Sequence, residues 1–208
     1  ADTDKASGRI REELSLFTAG DGREMAYFPG YNVTAYKPMA FHNETASQRI
    51  SILHHITEAS QLPFIVTTIS ALCQKLLPKK ELIRYGELLL AGEAVDRDAI
   101  VRKLIAGGYT HTMIVEEHGD FCLRGGILDV YSPLYPDPLR IEFFGDEVES
   151  IRLFAADTQR TIRHLEEAVI VPAREAIIDR ANLATIIGRI RALAAELGAH
   201  PGSPEDIA

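Results

Sequence analysis

Residues 138 to 154 read PLRIEFFGDEVESIRLF: an alternating run, the pair Gly145-Asp146, then a second run. Strand side chains alternate between faces, so parity fixes which residues point together. In the first run Leu139, Ile141 and Phe143 share one face and can meet a core. Arg140, Glu142 and Phe144 share the other. Two runs joined by a two-residue turn predict a β-hairpin, which becomes stable only as part of a larger sheet. The surrounding sequence offers that sheet. Strands are expected at 110–116, 120–131, 138–144, 148–154 and about 161–171, with a further turn at His118-Gly119-Asp120. Such spacing predicts an antiparallel meander.

One helix belongs with the meander. After a strand over 87–95, the stretch DRDAIVRKLIAGG has Asp96 at the N-cap position and an Ile100, Val101, Leu104, Ile105 stripe, and it ends in Gly107-Gly108. Upstream the pattern differs. An amphipathic helix is expected over 5–17, carrying Ile10, Leu14 and Phe17. It is followed by a strand at 25–28, an ordered loop over 31–43, and a helix over 44–60 with Ile50, Leu53, His54 and Thr57 on one stripe. PFIVTTI (63–69) is an apolar, β-branched run that suits a buried parallel strand, with Ser70 placed to cap the short helix ALCQKLL. Downstream of Arg174 the chain turns helical again, on a stripe from Leu183 to Leu197 closed by Gly198. The predicted fold is therefore α/β plus α+β: an α/β domain over 1–84, an antiparallel β-meander domain with one helix over 85–172, and a helical segment over 173–208.

Composition narrows the function. The chain has 208 residues and a formal net charge of −8. Nucleic-acid-binding modules usually carry a basic field, so a protein is the default partner. No phosphate-binding loop of the G-x-x-x-x-G-K-[ST] type is present. Gly107-Gly108 reads as a helix stop and Gly125-Gly126 as a β-bulge, and neither opens a helix after a strand. His54 and His55 are adjacent on a helix and point in different directions, a poor arrangement for joint metal ligands. No nucleophile motif and no convincing catalytic constellation stand out, so no enzyme activity, cofactor or metal is expected here. Two distant cysteines, Cys73 and Cys122, form no redox or metal motif and suit a reducing, cytoplasmic compartment, which would leave the Asn43-Glu44-Thr45 sequon idle. No apolar run is long enough to span a bilayer, and a monomer is the default. An opening Ala and a first segment that reads like the end of something suggest a fragment of a longer polypeptide.

The outward strand faces hold the remaining candidates. In DFCLRGGILDVY, Cys122 and Arg124 point away from Phe121 and Leu123, while Leu128 and Val130 read as core and Asp129 and Tyr131 as outward. A bulge at the glycine pair would supply the parity shift that this requires. Arg124 then joins Arg140 and Phe144 on one face. Two readings are open: a solvated face with Phe144 tucked under a loop, or a docking site, since Arg and aromatic residues are enriched in interface hot spots.

GDFCLRGGILDVYSP, PLRIEFFGDEVESIRLF, and DTQRT followed by VIVPAREAI closely resemble the N-terminal module of bacterial transcription-repair coupling factors (the Mfd family), itself similar to part of the excinuclease protein UvrB. The likeness covers most of the chain and is strongest over about 104–177. The tyrosine-rich hairpin expected of UvrB is not evident in YFPGYNVTAYKPMAFHNETASQRISILHHI, which favours the coupling factor. The resemblance implies a helicase-like domain (1a, then 1b) interrupted by domain 2, the meander. It implies that domain 2 binds the excinuclease protein UvrA and brings repair to stalled RNA polymerase, through the positions matched by Arg124, Arg140 and Phe144. In the intact protein it implies a separate ATP-driven motor acting on double-stranded DNA, and masking of this face by a C-terminal domain. The alternative is a damaged-DNA-binding module like that of UvrB, and more remote still is a nucleotide hydrolase acting alone.

Overall fold

A computed structural model describes residues 25–31, 43–178 and 180–196, together with Arg9, Ile10, Glu13, Leu14, Thr18 and Arg23. Most of the expected helix over 5–17, nearly all of the loop over 31–43, and Leu197 and Gly198 lie outside the described residues. The chain divides into two units, 1–177 and 178–208. The second is described by the helix Arg180–Glu196, whose Leu183, Ile187, Ile190 and Leu193 are exposed.

In the first unit, β1 (Met25–Phe28) and β2 (Phe64–Thr67) pair in parallel, with α1 (Asn43–Glu58) between them in sequence. This is the expected parallel unit, although Ile65 of β2 is exposed. Thr68, not Ser70, caps the following helix. Its hydroxyl accepts from the Ala71 amide at 3.2 Å and meets the Ser70 hydroxyl at 2.9 Å. That helix, α2 (Ile69–Leu72), is a single turn rather than a run to Leu77, and α3 (Lys79–Tyr85) follows Pro78. A buried ion pair ties this region together. Arg49 is fully buried on α1 and forms a two-point contact with Glu175, at 2.9 and 3.1 Å. It also donates to the Pro29 carbonyl at 2.7 Å and packs over the rings of Phe28 and Tyr31. Burial, then the neighbouring Glu175 carboxylate, pushes the Tyr31 phenol up to about 12.

Strand β3 (Glu87–Leu90) leads into α4 (Arg97–Ala106). Asp96 caps α4 as expected, accepting from the Ala99 amide at 2.9 Å. The helix ends where Gly108, at φ +86, lets the amides of Gly108 and Tyr109 reach back to the carbonyls of Ile105 and Leu104. The main sheet has six strands in the order β4 (Thr110–His111), β5 (Asp120–Arg124), β6 (Ile127–Val130), β7 (Leu139–Phe144), β8 (Glu147–Phe154), β9 (Thr161–Leu165). From β5 to β9 it is the expected antiparallel meander. Three details differ from expectation. Strand β4 is only two residues long and runs parallel to β5. The expected last strand is split into β9 and β10 (Glu167–Ile170), and β10 leaves the sheet to pair antiparallel with β3. The third is the glycine pair: Gly125-Gly126 is not a bulge within one strand but the two-residue turn of a hairpin, since Arg124 pairs with Ile127. Gly125 at φ +58 suits the first central position of such a turn. The two strands of that hairpin deliver the parity change that a bulge was expected to deliver.

The core lies on one face of this sheet. Leu139, Ile141 and Phe143 join Phe121, Leu128, Val148 and Ile151 against Ile100 and Leu104 of α4. Burying each such side chain contributes roughly 1.5–3 kcal/mol. A real bulge sits in β8. Phe143 pairs with Val148 and Glu142 with Ser150, which leaves Glu149 as the extra residue. The bulge lets both Val148 and Ile151, three apart, face inward. The combination of α/β and antiparallel α+β structure is the predicted fold class.

Candidate docking face

The opposite face of the sheet carries the candidate residues. Register places Cys122, Asp129, Arg140 and Arg152 in one row across β5 to β8, and Arg124, Ile127, Glu142 and Ser150 in the next. Phe144, at the hairpin end of β7, is 79% exposed. Among the described residues no loop covers it, so the tucked-under reading of this residue does not hold. The structure joins Arg124 and Arg140 and sets Phe144 apart from Arg140 by four residues of β7, about 13 Å along an extended strand.

What joins the arginines is Asp129, directly opposite Arg140 in register and only 2% exposed. One carboxylate oxygen accepts from Arg140 Nε at 2.6 Å. The other accepts from Arg140 Nη2 at 2.8 Å and from Arg124 Nη2 at 3.0 Å. Arg140 is held on two further sides. Its Nη2 donates to Gln159 Oε1 at 2.9 Å, and its guanidinium lies 4.3 Å from the centre of the buried Phe154 ring. The hydrogen bonds to Asp129, with its negative charge and that of Glu142, raise the Arg140 pKa above its ordinary value. Gln159 itself sits at φ +59, uncommon for a residue with a side chain, and its side-chain Nε2 donates to the Ala156 carbonyl at 2.8 Å. The two arginines differ in exposure: the Arg124 side chain is 55% exposed and that of Arg140 15%.

A second ion pair continues the face. Arg152, opposite Arg140, donates to both oxygens of Glu142, at 2.8 and 2.5 Å, and the Ser150 hydroxyl adds a bond at 2.8 Å. Arg152 first, then Ser150, holds the Glu142 carboxyl below the usual carboxylate range. At the far edge the chain after β4 folds over Cys122. The thiol contacts the Met113 carbonyl at 3.5 Å and is buried although it points outward, while the Met113 side chain is 87% exposed.

Asp129, Gln159, Phe154 and Met113 were not among the candidates. Asp129 had a legible signal, an acid placed outward on a strand beside one carrying an outward Arg, but the pairing needs the hairpin register. Gln159 gave no signal, because its backbone conformation is set by the loop. Among the described residues no group of three or more His, Cys, Asp or Glu could hold a metal, and no helix is long and apolar enough to cross a membrane.

The UvrB interaction domain family matches residues 88–175, a span that holds α4, the whole six-stranded sheet and its outward face. Residues 88–175 belong to the UvrB interaction domain family. Around this interaction domain, the chain is 34% identical over 88% of its length to the transcription-repair-coupling factor of Myxococcus xanthus. It is 30% identical over 84% of its length to that of Escherichia coli, and 35% identical over 65% to that of Bacillus subtilis. It is thus a relative of the transcription-repair coupling factors over most of its length, as its sequence implied. The chain spans 17%, 15% and 11% of those proteins. Arg124, Arg140, Phe144 and Asp129 all lie inside the interaction domain.

Proposed function

We propose that this chain is a non-catalytic recruitment module of a transcription-repair coupling factor, whose interaction domain binds the excinuclease protein UvrA. The observation that carries the reading is Phe144: a large aromatic side chain, 79% exposed, on the same sheet face as Arg124 and Arg140. A few residues carry most of the binding energy at protein interfaces, where Arg and aromatic side chains are enriched. Phe144 fills an apolar pocket of the partner, and the arginine pair meets its acidic groups. The chain's charge of −8 favours a protein partner over nucleic acid. In the intact protein, RNA polymerase, double-stranded DNA and an ATP-driven motor engage other regions, and this module links a stalled polymerase to excision repair in the cytoplasm.

Binding of the chain to UvrA, measured by calorimetry, tests the reading. Phe144→Ala and Arg140→Ala are each expected to cost roughly 1–3 kcal/mol, about tenfold to a hundredfold in affinity. A well-folded double variant that binds like wild type would sink it. The chain alone is expected to show no ATP turnover and only weak DNA binding at low salt. Tight lesion-specific binding would favour the UvrB-like alternative instead.

A further inference from the structure

A docking surface made of two arginines has a physical difficulty. Each guanidinium ends a long flexible side chain, and like charges repel, so a bare pair would splay into solvent and lose freedom on binding. Here the pair is not bare. Asp129, almost wholly buried, accepts three N–H bonds from the two guanidinium groups, and Gln159 and the Phe154 ring hold Arg140 from the other side. The neighbouring Arg152 is held in the same manner by Glu142. In the rows that join β5 to β8 the three guanidinium groups outnumber the carboxylates of Asp129 and Glu142, while Glu147, opposite Phe144 in register, adds an acid at the hairpin end of the face.

We propose that Asp129, seconded by Gln159, is a positioning residue for the docking face: it fixes Arg124 and Arg140 in the geometry that receives the partner, without touching the partner itself. The inference rests on the reading of this face as the site for UvrA. It also specifies the partner's chemistry. Arg140 is only 15% exposed and has spent its Nε and Nη2 donors within the chain, whereas Arg124 is 55% exposed and, among the described residues, has spent only Nη2. Arg124 is therefore the arginine that reaches out, and the complementary patch on the partner is a carboxylate beside an apolar pocket that takes Phe144.

Asp129→Asn separates positioning from charge, because the two predict opposite signs. The substitution keeps shape and removes one negative charge beneath the two arginines. If net charge alone governed attraction to an acidic partner, affinity would rise. If Asp129 positions the arginines, affinity falls, since a neutral carboxamide offers one acceptor oxygen where the carboxylate offers two, loses the charge assistance, and turns an N–H donor toward a guanidinium group. We expect binding of the full chain to UvrA to weaken about tenfold, and the loss to shrink to under about threefold in an Arg124→Ala background. Binding equal to or tighter than wild type, in a variant whose unfolding remains cooperative, overturns the proposal. Gln159→Gly removes the second hold on Arg140 at a φ that glycine tolerates. It is expected to weaken binding about threefold, and it serves should Asp129→Asn not fold, when wild-type affinity for it would overturn the proposal. Nitrogen relaxation of the Arg140 Nε–H group gives a readout that needs no partner: rigid in wild type, mobile in both variants. A rigid Nε–H in Asp129→Asn also overturns the clamp. If wild-type chain fails to bind UvrA, the functional reading fails, and the relaxation experiment still decides whether Asp129 orders the arginine.

Discussion

Phe143 and Phe144 are chemically identical neighbours with opposite roles. Phe143 is 7% exposed within the core and Phe144 79% exposed on the far face. Phe143→Ala is expected to destabilise the chain by about 3–5 kcal/mol, the usual cost of opening a cavity where a phenyl ring packed. Phe144→Ala is expected to change stability by less than about 0.5 kcal/mol. Urea denaturation of the two variants checks both, and comparable losses would mean that Phe144 is packed in solution. This contrast was legible in the sequence, because alternation along a strand leaves no freedom once Leu139 and Ile141 are assigned to the core. The degree of exposure of the arginines was not legible. Parity turns Arg124 and Arg140 outward alike, yet outward does not mean free. Asp129 covers one side of Arg140, and the loop carrying Gln159 covers another.

At the scale of the hairpin, the β7–β8 pair is held on its outward face by Glu142, Arg152 and Ser150. A carboxyl whose folded pKa is depressed adds stability that is fully present above its unfolded value, about 4.3 for Glu, and lost as pH falls through the lower folded value. Both partners are partly solvated, so the contribution is on the order of 1 kcal/mol or less. Glu142→Gln is therefore expected to be slightly less stable than wild type at pH 7, with the gap closing at pH 3. Denaturation midpoints at the two pH values check this; a gap that widens in acid would show that Glu142 does not gain from Arg152. The same scale shows why turn chemistry misled the reading of Gly125-Gly126. A glycine pair inside an alternating run serves a bulge or a two-residue turn equally well, and each restores the observed parity. What separates them is pairing of Arg124 with Ile127, a tertiary fact. In β8 the bulge at Glu149 was not anticipated, because a plain strand was expected over 148–154.

Across the molecule, the chain enters and leaves the meander by adjacent strands: β3 (Glu87–Leu90) pairs with β10 (Glu167–Ile170). We propose that this pair is the neck of an inserted domain over 85–172, which interrupts the domain that begins in 1–84. Two separate apolar clusters lie on the two sides of the neck, one built on the meander and α4, the other gathering Ile50, Leu77 and Leu82 and meeting the proposed domain through Val171. Just past the neck, Glu175 reaches back across 126 residues of sequence to the buried Arg49. Removing one partner leaves an uncompensated buried charge, so Glu175→Ala is expected to cost about 3–5 kcal/mol. Replacing both, as in Arg49→Leu with Glu175→Leu, is expected to cost less than either single change, because no charge is stranded. If the neck separates two cooperative units, the loss in Glu175→Ala stays on one side of it. Amide hydrogen exchange should then quicken in β1 and α1, while β7 and β8 keep their protection and with it the docking face. Equal loss of protection on both sides would mean that 85–172 depends on the Arg49–Glu175 tie for its own stability, and the inserted-domain division would have to be abandoned.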